Sequence, residues 1–198
     1  MGFLETTMFT TRNTFFTSDH HFGHKNIIRF SGRPFETVEE MDEAMISRWN
    51  EVVGERDHVF HLGDVSMHNP RRSRELLDRL NGHIYLIIGN HEKSATHSAC
   101  RDRFEWSKDL HDLRLHDEED EQRRYIVLCH YAMRVWNRSF HGSWHLYGHS
   151  HGTLPDDPAS LSFDVGVDCH DFRPHSYAQV KSIMAHKTPR RGDPGNEL

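Results

Sequence analysis

The chain has 198 residues, of which 35% are hydrophobic and 27% are charged. This composition is typical of a globular protein with a buried core, and the length favours a single domain, which we place at residues 1–186. No apolar run approaches the ~20 residues that a transmembrane helix needs, and residues 1–11 lack the basic start and apolar stretch of a secretory signal. We therefore expect a cytoplasmic protein with no membrane partner. The net charge of −6 gives nucleic acid binding no support, although it does not exclude it.

Short apolar runs rich in aromatic and β-branched residues recur along the chain and predict buried strands. Five runs are clear, and a sixth shows polar and apolar residues in alternation. In chain order they cover residues 14–17, 58–62, 84–88, 125–128, 144–147 and 161–167. Because helical segments lie between the strands, the sequence predicts an α/β fold.

Capping signals and helical spacing of apolar residues predict three helices. Residues 37–53 begin with the capping-box pattern TVEE, and the apolar residues behind it repeat at three- and four-residue spacing. Residues 69–82 begin with Asn-Pro and end with Asn-Gly, which are typical start and stop signals. Residues 176–186 form the third helix. The polar residues 187–198, with two prolines and two glycines, should form a disordered tail.

Each of the five clear strands is followed by Asp, Asn or His, in several cases after a glycine that allows a sharp turn. These residues are Asp19 and His21, Asp64, Asn90 and His91, His130, and His149 and His151. In α/β sheets, ligands bind beyond the carboxyl ends of the strands, so neighbouring strands would bring these side chains together. A single histidine beside a strand is usually structural, but five coincident strand endings are hard to explain in that way.

The donor types of these residues indicate the kind of site. They offer oxygen and nitrogen, and the three cysteines of the chain lack the spacing of a zinc knot. Such donors suit divalent Mn, Fe, Zn or Ni ions, of which we favour Mn²⁺. The candidates also outnumber the ligands of a single ion, which predicts two ions that share a bridge.

The series DxH at 19–21, GD at 63–64, GNH at 89–91, His130 and GHSH at 148–151 resembles the signature of the calcineurin-like metallophosphoesterase superfamily. The surrounding segments resemble the small bacterial and phage-type phosphoesterases of that superfamily. The resemblance spans about two thirds of the chain. It implies two facing mixed β-sheets flanked by helices, arranged as a four-layer αββα sandwich.

The resemblance also implies a role for each site residue. Asp64 bridges two metal ions by offering one carboxylate oxygen to each, and a hydroxide held between the ions attacks the phosphorus. His91 is the catalytic residue, near the metals but bound to neither, and it assists the leaving group. The first ion is bound by Asp19, His21 and His151, and the second by Asn90, His130 and His149. Where the superfamily usually has Asp after the catalytic histidine, this chain has Glu92, which leaves the partner of His91 open.

The metal motifs suit a phosphodiesterase or a phosphomonoesterase, and we favour the diesterase. A monoester carries close to two negative charges at neutral pH, and a monoesterase tends to hold the extra oxygens with cationic side chains. Arg33 is the main candidate for binding substrate phosphate in this way, while Arg134 and Arg138 would have to fold into the cleft. A non-catalytic metal-binding scaffold of the same fold is the alternative from a different class, although the intact His91 argues against it. The expected partner is a phosphate-ester substrate such as a nucleotide.

Overall fold

Strands form where the sequence has short aromatic and β-branched runs, and the computed structural model describes nine of them in residues 9–92 and 94–189. They are β1 (Thr14–Thr17), β2 (His58–His61), β3 (His83–Ile87), β4 (Phe104–Lys108), β5 (Leu110–Asp117), β6 (Gln122–Cys129), β7 (Trp144–Tyr147), β8 (Ser162–Asp164) and β9 (His175–Ser176). All six predicted strands are present, with their ends within three residues of the prediction. β4, β5 and β9 were not predicted. In β5 only alternate residues such as Leu113 and Leu115 are buried. The exposed charged residues between them interrupt the apolar run from which a strand is predicted.

Five α-helices lie in the described residues. They are α1 (Lys25–Phe30), α2 (Val38–Val52), α3 (Pro70–Leu77), α4 (Ser94–Ala99) and α5 (Tyr177–Ala185). The predicted helices correspond to α2, α3 and α5, which are capped by the side chains of Thr37, Asn69 and Ser176. α3 ends at Leu77, earlier than predicted, because residues 78–80 tighten into shorter turns. The two short helices α1 and α4 were not predicted.

The strands form two mixed sheets, so the chain is an α/β protein with two sheets flanked by helices. The larger sheet has the order β4-β3-β2-β1-β9, in which β1 to β4 run parallel and β9 is antiparallel at one edge. The smaller sheet has the order β5-β6-β7-β8, with β5 antiparallel to β6 and the other three strands parallel. The strands that precede the predicted site residues are therefore parallel neighbours, β1 to β3 in one sheet and β6 and β7 in the other.

The larger sheet is buried on both faces, because successive residues of its strands point in opposite directions. In β2, Val59 belongs to the same apolar core as Met45 and Trp49 of α2. The next residue, Phe60, belongs to a second core that includes Leu146 of β7. The first core thus lies between the sheet and its helices, and the second lies between the two sheets. Burial on both faces gives continuous apolar strands, which made β2 and β3 readable from the sequence.

The end of the described chain differs from the predicted tail. Lys187 is buried, and its ammonium group donates a hydrogen bond of 2.5 Å to Asp156. The chain is therefore still packed at the point where disorder was expected to begin. Residues 190–198, the rest of the predicted tail, lie outside the described residues. Within the described ranges, no helix combines the length and the apolar character that crossing a membrane requires.

Candidate metal centre

The candidate site lies where the strand ends of the two sheets meet. At the end of the larger sheet, the Asp19 N–H donates to the backbone oxygen of Gly63 at 3.0 Å. In the smaller sheet, the Gly148 N–H donates to the backbone oxygen of His130 at 3.0 Å. A third bond crosses between the sheets, from the His149 N–H to the Asp19 carboxylate at 2.8 Å. Hydrogen bonds therefore join the loops from both sheets at one end of the molecule.

Five of the seven predicted metal ligands have a left-handed backbone. Their φ angles lie between 48° and 67°, at Asp19, His21, Asp64, His149 and His151. The described residues hold nine such non-glycine positions in all, so more than half of them fall in this site. Each costs about 1–2 kcal/mol, and backbone strain of this kind concentrates at functional sites. Here it turns each side chain sharply as the chain leaves its strand.

Two groups of side chains have the spacing of metal ligands. Within each group the ligand atoms lie within 4.8 Å of one another, in Asp19, His21 and His151 for the first and in Asp64, His130 and His149 for the second. The seventh predicted ligand, Asn90, has its Oδ1 2.9 Å from Nε2 of His130. The structure therefore brings all seven predicted ligands close together, and six of them form or join two groups that match the predicted sets, with Asp64 in the second.

Asp64 connects the two groups through a single oxygen. Its Oδ2 lies 3.4 Å from Nε2 of His21 and 3.5 Å from Nε2 of His130. Its Oδ1 accepts the backbone N–H of His91 at 2.8 Å. Oδ1 thus has one lone pair engaged by the backbone, whereas Oδ2 faces a histidine of each group. Oδ2 is the atom that two cations could share.

His130 is held in the form that binds a metal through Nε2. Its Nδ1 lies 2.7 Å from the backbone oxygen of Leu62, which can only accept, so Nδ1 carries the proton. Burial lowers the pKa of His130 and favours the neutral ring. The lone pair on Nε2 then faces the side-chain oxygen of Asn90. A metal ion bound by both atoms would satisfy them, as would a second proton on the ring or rotation of the Asn90 amide.

The donor set fits divalent cations, and Asp19 shows this best. Its Oδ1 is buried and has no hydrogen-bond partner among the described residues. Burial raises the pKa of Asp19 to about 8, with His151 opposing the shift and Asp164 adding to it. An unpartnered buried carboxylate oxygen is costly, whereas a bound cation would satisfy it and restore the ionised form. The residues present therefore fit a divalent metal ion at this position.

Asp168 supports the first ligand group by contacting His151, although no sequence pattern indicated it. Its Oδ2 accepts the Nδ1–H of His151 at 2.7 Å, which leaves Nε2 of His151 as the ligand atom. Carboxylate–histidine pairs of this kind fix the tautomer and the orientation of metal-binding histidines. Asp168 lies in a short turn after β8, remote in sequence from every motif, and only the folded chain brings it to His151.

His91 lies at the open face of the site. The residue is exposed, and its ring centroid is 5.3 Å from that of His21. It belongs to neither group of ligands, while its backbone N–H holds Asp64. His91 therefore lies beside the first ligand group without belonging to it.

Glu92 holds the loop that carries Asp64, rather than the ring of His91. Its carboxylate accepts the backbone N–H groups of Asp64 at 3.0 Å, Val65 at 2.8 Å and Gly89 at 2.5 Å. Burial raises the pKa of Glu92, and these backbone hydrogen bonds oppose the shift. Because the three N–H groups come from the loops after β2 and β3, Glu92 fixes the two loops against each other.

Arg33 lies beneath the first ligand group and not at the open face. Its buried guanidinium makes a two-point contact with Asp168, at 2.8 and 2.9 Å. Two further hydrogen bonds go to the backbone oxygens of Asp19 at 2.7 Å and His20 at 2.8 Å. The prediction that Arg33 binds substrate phosphate therefore disagrees with the structure. The guanidinium group already donates its hydrogen bonds to a carboxylate and two carbonyl groups of the protein.

Arg134 and Arg138 also lie away from the strand ends that form the site. The guanidinium of Arg138 stacks on the ring of Tyr125, 4.3 Å from its centroid. Arg134 lines a surface cavity together with Leu161. Tyr125 and Leu161 lie toward the amino ends of β6 and β8, whereas the site is at the carboxyl ends. Folding therefore does not bring these two arginines into the cleft.

Comparison with solved structures supports the fold. The crystal structure of the protein of unknown function AQ665 from Aquifex aeolicus matches this chain with a TM-score of 0.63 and 18% sequence identity. The match covers 86% of this chain and 98% of that one. At this identity the likeness shows the two-sheet α/β fold alone.

Comparison of sequences identifies relatives, although no family model matches the chain. The gene 66 protein of Mycobacterium phage L5 is 37% identical over 83 residues, which is 40% of each chain. The uncharacterized protein MJ1445 of Methanocaldococcus jannaschii is 34% identical over 181 residues, covering 87% of this chain and 92% of the relative. With that identity over nearly the whole of both proteins, the chain belongs to the family of MJ1445.

Proposed function

We propose that the chain is a two-metal phosphoesterase of the calcineurin-like metallophosphoesterase superfamily, with that superfamily's αββα sandwich. The observation that carries the proposal is the position of Asp64 Oδ2, within 3.5 Å of imidazole nitrogens from two separate ligand groups. An oxygen placed between two groups suits a pair of adjacent cations, whereas a single-ion site has no need of the second group.

The role of the chain is to hold two divalent ions and to keep the site positively charged. When bound, such ions supply a nucleophile at neutral pH and bind the phosphate oxygens; we favour Mn²⁺, with Fe, Zn or Ni as alternatives. Of the predicted ligands, only Asp19 and Asp64 carry negative charge, since the imidazoles and Asn90 are neutral. The remaining positive charge attracts a phosphate ester despite the net charge of −6 on the chain.

His91 is placed to assist the leaving group. Its backbone is fixed to Asp64 by a 2.8 Å hydrogen bond, while the residue itself is exposed at the open face. An imidazole there can donate a proton or a hydrogen bond to the departing oxygen, a contribution of about 10²–10⁴-fold to the rate.

The positions of the arginines favour a phosphodiesterase, with a phosphomonoesterase as the alternative. The second negative charge of a monoester needs additional cationic side chains. Arg33 is buried against Asp168, Arg138 stacks on Tyr125, and Arg134 lines a surface cavity with Leu161. None of these three arginines is therefore available to hold the extra charge, and a singly charged diester suits the site better.

The proposal is tested by comparing kcat/KM for bis-p-nitrophenyl phosphate and p-nitrophenyl phosphate at the same pH with Mn²⁺-loaded protein. We expect faster hydrolysis of the diester, loss of activity with a chelator, and recovery with Mn²⁺. Asp64→Asn should be inactive. The matched control is Asp117→Asn, since Asp117 is an equally buried carboxylate that binds Tyr177 and Lys181 far from the site. Its activity per folded molecule should equal that of the wild type.

Two results would count against the proposal, each against a different part. A clear preference for the monoester would make the chain a phosphatase. Hydrolysis that survives complete removal of metal, or that persists at the wild-type rate in Asp64→Asn, would contradict the two-metal site itself.

A further inference from the structure

Arg33 and Asp168 form a buried ion pair directly behind the first ligand group. The guanidinium meets the carboxylate at two points, and the two side chains are 0% and 7% exposed. The same guanidinium donates to the backbone oxygens of Asp19 and His20. One arginine therefore binds both the loop after β1 and the turn after β8.

The network continues from this pair to a predicted metal ligand. Asp168 Oδ2 accepts the Nδ1–H of His151 at 2.7 Å. A chain of hydrogen bonds of 2.7–2.9 Å thus runs from the Asp19 backbone through Arg33 and Asp168 to the His151 ring. Asp19 and His151 both have left-handed backbones, with φ of 58° and 48°. Such conformations persist only where the surrounding structure enforces them.

We propose that Arg33 and Asp168 are positioning residues for the first metal ion. Asp168 holds His151 in the tautomer that presents Nε2 as the ligand atom, and Arg33 fixes the loop of Asp19 relative to that ring. The proposal rests on the two-metal site proposed above, and it assigns Arg33 and Asp168 to the first ion alone.

Asp64 and His130 of the second ligand group are oriented by different contacts. His130 is fixed by the backbone oxygen of Leu62 at 2.7 Å, and the loop of Asp64 is held by Glu92. Loss of the Arg33–Asp168 pair should therefore lower the affinity for the first ion and leave the affinity for the second ion unchanged. A general loss of stability would weaken both, so the difference between the two sites distinguishes positioning from structural support.

The test is titration of Mn²⁺ into metal-free wild type, Asp168→Asn and Arg33→Lys, with folding checked by circular dichroism. The wild type should bind two ions. In both variants one ion should bind with wild-type affinity and the other about 10- to 100-fold more weakly, since Lys keeps the charge of Arg but lacks its planar fork. In a His130→Ala background, which removes a ligand of the second ion, Asp168→Asn should weaken the ion that remains.

The outcomes separate this inference from the proposed function. A wild type that binds fewer than two ions would overturn the two-metal site. A wild type that binds two, with variants that also bind two at unchanged affinity, would overturn only the positioning role. An equal loss of affinity for both ions, or the same loss in Asp117→Asn, would show that the Arg33–Asp168 pair only stabilises the fold. If Asp168→Asn does not fold, Arg33→Lys decides the same question.

Discussion

Replacing Asp19 with Asn should stabilise the metal-free protein and at the same time weaken metal binding. Burial raises the pKa of Asp19 to about 8 from its ordinary value of 3.8. In the metal-free protein the folded state therefore keeps a proton that the unfolded state releases, and stability falls as the pH rises through that interval. Asn is neutral at every pH, and its side-chain oxygen can still accept the His149 N–H that Asp19 now accepts. We expect the metal-free variant to be more stable than the metal-free wild type at pH 8.

The size of the effect follows from the pKa shift of Asp19. At about 1.4 kcal/mol per pKa unit, a shift from 3.8 to about 8 sets an upper limit of about 6 kcal/mol, and relaxation of the site will reduce it. Even 1 kcal/mol raises Tm by about 2–4 °C in a chain of this length. Mn²⁺ should narrow the difference, since a ligand at 100 times its Kd adds about 2.7 kcal/mol to the wild type. The variant lacks the ligand carboxylate and should gain less.

The assay is thermal unfolding of both proteins at pH 5, 6.5 and 8, first with a chelator and then with Mn²⁺. The advantage of Asp19→Asn in chelator should widen as the pH rises. Asp117→Asn is the control: burial would raise the pKa of Asp117, but hydrogen bonds from Tyr177 and Lys181 outweigh it and lower the pKa. That change should therefore destabilise the protein equally with and without Mn²⁺. A metal-free Asp19→Asn that is less stable than wild type at pH 8, or that gains as much from Mn²⁺, would refute the reasoning.

Further substitutions test other parts of the site. Asp64→Asn should weaken both ions because Oδ2 faces both groups, whereas His130→Ala should mainly empty the second; elemental analysis after Mn²⁺ reconstitution distinguishes the two. His91→Ala should keep its metals and lose about 10²–10⁴-fold in turnover on alkyl esters, with little loss on nitrophenyl esters, whose leaving group needs no proton. Equal losses on both would assign His91 to positioning instead. Glu92→Gln should lower the free energy of unfolding in chelator by about 1.5–3 kcal/mol, because an amide nitrogen cannot accept the N–H groups that the carboxylate now holds. Urea unfolding measures this, and an unchanged midpoint would contradict it.

The residues at the strand ends could be predicted because the strands that carry them are easy to read. β2 and β3 are apolar on both faces, so the sequence shows where each ends and which polar residue follows. The glycines beside the ligands also mark the site in the sequence, because the chain passes too close to a ligand there for a larger residue. A Cβ on Gly89 would lie 2.4 Å from Asp64 Oδ1, so only glycine allows the Asp64 carboxylate to approach that loop.

The residues behind the ligands could not be predicted, because their roles depend on distant partners. Arg33 stands in a loop that could face solvent, and its direction is decided by Asp168, 135 residues further along the chain. Glu92 follows the predicted catalytic histidine, yet its longer side chain reaches the backbone N–H groups of Asp64 and Val65. Neither contact leaves a periodic pattern in the sequence, since both join segments that meet only when the sheets assemble.

The central claim is that two metal ions share Asp64, and a crystal structure of the Mn²⁺-loaded protein tests it most directly. Anomalous scattering from Mn should give two peaks on either side of Asp64 Oδ2, about 3.5–4 Å apart. One peak should contact Asp19, His21 and His151, and the other Asn90, His130 and His149. A single peak at saturating Mn²⁺, or none beside Asp64, would contradict the claim.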